Sequence, residues 1–112
     1  MENNISEQSL VELFEELLTV PSPSGHENRI ARFIQSKIES MGYVFQTDGS
    51  ENTYVLLDGI DILAPKCCVA AHIDEVSLIV SGIDMDGSIR VISSGGLLVR
   101  KLGERPGDIL GD

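Results

Sequence analysis

One short apolar run constrains this chain more than any other feature. Cys67-Cys68-Val69-Ala70-Ala71 leads straight into His72-Ile73-Asp74-Glu75. A run of that length reads as a buried strand, Lys66–Ala71, with a polar tail where the strand leaves its sheet. Open α/β sheets place their ligands at that edge. A histidine there can bind a metal through one ring nitrogen. A carboxylate two residues on can hold the other ring N–H and fix the tautomer. The pattern therefore points to part of a metal site at His72 and Asp74; taken alone, a His-x-Asp reads more readily as a satisfied histidine at a strand end. A catalytic zinc site needs about three protein ligands plus an open position, so the motif supplies one corner only.

Helical periodicity precedes that run. Leu10, Leu13, Phe14, Leu17 and Leu18 share a face and predict a helix over 5–19. Ser9 with Glu12 fits a capping box, and Ser6 offers an earlier start. Pro21-Ser22-Pro23-Ser24-Gly25 ends the helix. A second helix is expected from about Gly25 to Met41, with Ile30, Phe33, Ile34, Ile38 and Met41 as its stripe. Ser24 and Glu27 suggest its capping box, and Gly42 its stop. His26, in the first turn, reads as an exposed or capping histidine, because a helix N-terminus disfavours further positive charge.

The period then changes to that of strands. Tyr43–Thr47 and Thr53–Leu57 flank an Asp48–Asn52 turn, and Asp58–Pro65 reads as a loop. Val76–Ile83 and Ser88–Ile92 read as a hairpin joined through Asp84-Met85-Asp86-Gly87. Gly95-Gly96 breaks the pattern, and Leu97–Leu102 is expected as a last strand. Helices followed by strands give the fold class α/β, with a boundary near Glu75.

Charge removes several functions. The 112 residues carry a formal net charge of −10 and no Trp. Nucleic acid and anionic membrane surfaces are poor partners for such a chain. No segment approaches the ~18 apolar residues of a membrane span. Met1–Ser9 lacks the basic start and apolar run of a secretory signal. A cytoplasmic location is expected. Adjacent Cys67 and Cys68 are poorly placed to bond each other and read as buried, inert thiols.

Other chemistries find little support. Asp84 and Asp86 read as a solvated hairpin turn, and Asp58 and Asp61 as loop carboxylates. A glycosidase needs two carboxylates facing across a cleft, which spacing cannot show. There is no Gly-x-Ser-x-Gly elbow for a nucleophilic serine.

The ordered set of motifs resembles a known family. The segments are Leu18-Thr19-Val20-Pro21-Ser22-Pro23-Ser24-Gly25-His26-Glu27, Asp48 and Asn52 in an Asp-x-x-Gly-Asn-like turn, Ala70-Ala71-His72-Ile73-Asp74-Glu75, the Asp86-Gly87 turn and Gly95-Gly96. Together they look like the start of the metallo-aminopeptidases that assemble into tetrahedral particles, the glutamyl or deblocking aminopeptidases. Glu51 departs from the pattern, standing where the family has glycine. A positive φ there would strain it.

The resemblance implies a zinc-peptidase-like α/β/α layer, partial here over 1–75. An inserted β-barrel-like domain begins at 76 and is incomplete at 112. It implies two divalent metal ions, zinc or cobalt, that share a bridging water, with a glutamate as general base. The reaction is removal of an N-terminal residue from a peptide. His72 matches the first metal ligand and Asp74 the carboxylate that orients it, the chain's contribution to the catalytic apparatus. Glu75 is given no role. The family's other ligands and its catalytic glutamate follow later in its order, so the chain reads as an amino-terminal piece, inactive alone. A peptide substrate and homo-oligomers, built by pairing through the inserted domain, are implied. The alternative is a non-catalytic product or an interaction module that pairs through exposed sheet edges.

Overall fold

Amphipathic spacing builds both helices where the sequence puts them. A computed structural model describes residues 7–61, 63–104 and 107–111. Helix α1 spans Glu7–Leu18 and α2 spans Asn28–Ser40. Strands β1 (Gln46–Thr47), β2 (Thr53–Tyr54), β3 (Ser77–Ile83) and β4 (Ile89–Ser94) follow, then a 3-10 turn at Val99–Lys101. The fold class is α/β: two helices, then two antiparallel hairpins, β1–β2 and β3–β4. The chain divides into two units, Met1–Asp74 and Glu75–Asp112.

In the first unit the helices are tied by polar contacts. Lys37 of α2 forms an ion pair with Glu16 of α1, and its ammonium lies 5.3 Å from the Phe33 ring centroid. Gln35 Nε2 donates to Thr53 Oγ1 at 2.9 Å, fastening α2 to β2. The α2 stripe faces inward. Ile30 is buried, and Phe33, Ile34 and Ile38 are half-buried. The α1 stripe is open, with Leu10, Phe14 and Leu18 exposed. Ile30 is the one buried apolar residue among those described.

Gly42 stops α2 as its position suggests. Its φ of 84° is open to glycine at little cost. Its N–H donates to Glu39 O at 2.9 Å and that of Tyr43 to Ile38 O at 3.2 Å, the paired bonds of a Schellman ending. Both proposed capping boxes are corrected. Ser9 lies inside α1, and Ser6 falls outside the described residues. Helix α2 starts three residues later than expected, with Glu27 at the N-cap and no side-chain cap bond.

The β1–β2 hairpin is shorter than its sequence suggests and is held by its turn. Asp48 Oδ1 accepts the N–H groups of Ser50 and Asn52 at 2.9 and 3.0 Å, and Oδ2 accepts Asn52 Nδ2 at 2.9 Å. Glu51 has φ 65°, the one positive φ at a non-glycine among the described residues. The strain expected of glutamate at this place is present.

Two expected strands are absent. Residues 65–74 have no ladder partner and are not a strand. A strand exists only as one side of a hydrogen-bonded pair, and the two short strands of this unit pair with each other. Val69 is accordingly 96% exposed. Cys67 and Cys68 are free and exposed rather than buried, for the same reason. In the second unit Leu97–Leu102 is not a strand but contains the 3-10 turn.

The β3–β4 hairpin carries a bulge between Val80 and Gly82. Register pairs Val80 with Val91 and Ile83 with Ile89, leaving Ser81 as the extra residue. That insertion resets the alternation. Ile83 thereby joins Leu78, Val80, Ile89 and Val91 on one face, and all five are exposed. The turn is closed by Asp84 N–H to Ser88 O at 2.8 Å, and Asp86 Oδ1 accepts Ser88 N–H at 2.9 Å. Arg90 pairs with Asp84 at 3.3 Å. These aspartates are the solvated turn residues expected.

Two outcomes test the β1–β2 turn. A left-handed backbone costs a residue with a Cβ roughly 1–2 kcal/mol, and glycine's unfolded-state entropy offsets roughly 0.5–1 kcal/mol of that. Glu51→Gly should stabilise the hairpin, raising the urea midpoint. An unchanged or lower midpoint would contradict strain at this position. The Asp48 carboxyl is held below its ordinary pKa, first by the Asn52 side chain and then by the Asn52 and Ser50 N–H groups. Its contribution is complete above the ordinary carboxylate pKa and is lost as pH falls through the lower native value. Hydrogen exchange at the Ser50 and Asn52 amides should lose protection on acidification from about pH 5 to pH 2. In Asp48→Asn this acid-dependent part should vanish.

Candidate functional site

Extended backbone sets the geometry around His72. Residues two apart on an extended segment project to the same side. His72 Nδ1 lies 2.9 Å from Asp74 O and 3.1 Å from Asp74 Oδ1. A carbonyl and a carboxylate can only accept. In the neutral ring Nδ1 therefore carries the proton and Nε2 keeps its lone pair. The ring is not sealed in hydrocarbon: the His72 side chain is 86% exposed. An imidazole in this state is prepared to bind a cation through Nε2.

Asp74 is held from a second direction. Its other oxygen, Oδ2, accepts Ser24 Oγ–H at 2.5 Å across 50 positions of sequence. That short bond to an ionised group is the main reason its carboxyl lies below the ordinary pKa; desolvation opposes it, and the His72 contact adds a lesser lowering. The carboxylate thus stays ionised at neutral pH between a hydroxyl donor and an imidazole donor.

Ser24 is the site residue that sequence reasoning missed. Read locally, it paired with Glu27 as a helix cap. In the structure Glu27 Oε1 instead accepts Gly25 N–H at 2.6 Å, and Ser24 turns to Asp74. No local pattern signals a contact over such a separation. The one available signal was that Ser24 lies in the Pro21–Gly25 segment, which carried part of the family resemblance.

The remaining candidates serve turns of their own segments. Asp84 and Asp86 serve the β3–β4 turn, and Asp61 Oδ1 accepts Leu63 N–H at 2.9 Å. Among the described residues no three His, Cys, Asp or Glu side chains converge to hold a metal. The donor set fits one coordination position, not a complete centre. Among those residues, too, no helix is long and apolar enough to cross a membrane.

Two helices, two small antiparallel hairpins and a histidine steadied by a carboxylate make up what the chain brings to comparison with known proteins. The M42 glutamyl aminopeptidase family matches residues 52–111, and the chain belongs to that family. It is 34% identical over 89 residues to the glutamyl aminopeptidase of Lactococcus lactis subsp. cremoris, covering 77% of this chain and 25% of that protein. It is 33% identical over 92 residues to the lysyl aminopeptidase of Pyrococcus furiosus, covering 81% of this chain and 26% of that protein. The chain spans about a quarter of the length of these curated relatives. No solved structure matches it.

Proposed function

We propose that this chain carries the first metal-ligand region of a metal-dependent aminopeptidase, which removes N-terminal residues from peptides. The observation that carries the reading is the state of His72. The residue lies within the family match, its Nδ1 is held by Asp74, and its ring is open to solvent. His72 takes one coordination position through Nε2, on one of two divalent ions, zinc or cobalt. Asp74 fixes the ring and raises its basicity as a ligand. Ions so bound supply Lewis-acid polarisation of the scissile carbonyl and a water of lowered pKa.

Residues 1–75 form part of the peptidase layer, and an inserted β domain begins at 76. The exposed apolar face of β3–β4 supports the second half of that reading. Five aliphatic side chains on one sheet face suit the inner wall of a barrel-like domain. Pairing of subunits through this domain gives a homo-oligomer, and the setting is cytoplasmic. One imidazole and one orienting carboxylate hold a metal weakly, so these 112 residues alone have no peptidase activity. The open edges of the β3–β4 hairpin, one of the two-stranded sheets, favour a second reading, an interaction module that pairs by strand addition.

The test sets this chain beside a version lengthened to the span of its relatives. With zinc or cobalt added, the short chain should not cleave an aminoacyl reporter and the long one should. Cleavage by the short chain, abolished by His72→Ala, would overturn the division of ligands. In the long chain Asp74→Asn should weaken metal binding about ten- to a hundredfold. Unchanged affinity would remove Asp74 from the site.

A further inference from the structure

We propose that Ser24 is a positioning residue for the His72–Asp74 pair, locking the carboxylate so that one oxygen faces the imidazole. The proposal rests on the reading of His72 as a metal ligand only for its consequence; its geometry stands without a metal. An aspartate's terminal torsion is broad and nearly two-fold. Left alone, the Asp74 carboxylate would swing and share its hold on His72 with water. The 2.5 Å bond from Ser24 Oγ occupies Oδ2 and leaves Oδ1 at 3.1 Å from Nδ1. Ser24, Asp74 and His72 then form a chain of donors and acceptors, in which the Asp74 carbonyl at 2.9 Å shares the Nδ1 proton with Oδ1.

The loop that carries Ser24 is built to aim it. His26 N–H donates to Pro23 O at 2.9 Å, closing a four-residue turn with Ser24 and Gly25 at its centre. Gly25 has φ 87°, the left-handed value that the third position of a type II turn requires. Its N–H is fixed by Glu27 Oε1. Ser22, on the other side of Pro23, is buried. Pro23 sets its own φ. A side chain on so determined a turn loses little further freedom in making its bond. The hydroxyl is not used to cap α2, whose N-cap is three residues further on.

The tautomer of His72 reads this directly, in the chain as it exists and without metal. Long-range proton–nitrogen spectra of the imidazoles are recorded at about two pH units above the ordinary histidine pKa. The native chain should show His72 mainly with its proton on Nδ1, whereas free histidine prefers Nε2. In Ser24→Ala the ratio should fall about fivefold toward the Nε2 form, as one orienting hydrogen bond is lost. Ser24→Thr, which keeps the hydroxyl, should restore it, and His26 serves as the internal control. An unchanged ratio in Ser24→Ala would overturn the proposal. So would a fall accompanied by altered amide signals throughout 24–27 and no rescue by threonine, which would make Ser24 a loop scaffold. Failure of His72 to bind metal in the lengthened chain would leave this result untouched, so the two claims fail separately.

Discussion

The carboxylate of Asp74 is the contact on which the candidate site depends. It accepts from Ser24, which the first helical half of the chain positions, and from His72, which the extended segment presents. Removing it would separate the loop before α2 from the histidine and leave the Asp74 carbonyl as the one acceptor facing Nδ1. A group of this kind does more by geometry than by energy. Its surroundings are largely solvated, so the pair adds little to stability. What it fixes is which ring nitrogen holds the proton, and so which nitrogen can act as a ligand.

The rest of the chain is unusual in how much apolar surface it leaves uncovered. Ile30 alone is buried among the described apolar residues, while Val69, the α1 stripe and one whole face of β3–β4 remain open. Exposed patches of this kind mark surfaces made to be covered. The bulge at Ser81 sharpens the point. It costs a ladder position and brings Ile83 into line with Leu78 and Val80, which has a purpose only if that face meets another surface. Membership of a family whose curated relatives are about three times as long accords with surfaces awaiting partners.

Legibility followed the range of the interaction. Both helices were readable because i, i+3, i+4 spacing is local, and Gly42 because a left-handed stop leaves a glycine behind. The Asp48 turn and the strain at Glu51 were readable from a departure at one position. The β3–β4 hairpin was readable from its turn chemistry. Lys66–Ala71 was misread because composition reports a preference for strand, while pairing decides whether one exists. The thiols of Cys67 and Cys68 were misplaced with it. Ser24 was misread for the opposite reason: a plausible local partner, Glu27, hid a real one 50 residues away. The contact between His72 and Asp74 was readable because it spans only two residues.

The most direct measurement is the metal content of a chain lengthened to the span of its curated relatives, with His72 intact and with His72→Ala. The account predicts two bound divalent ions per chain in the first and the loss of one of them in the second. Full metal occupancy in the substituted chain would contradict it.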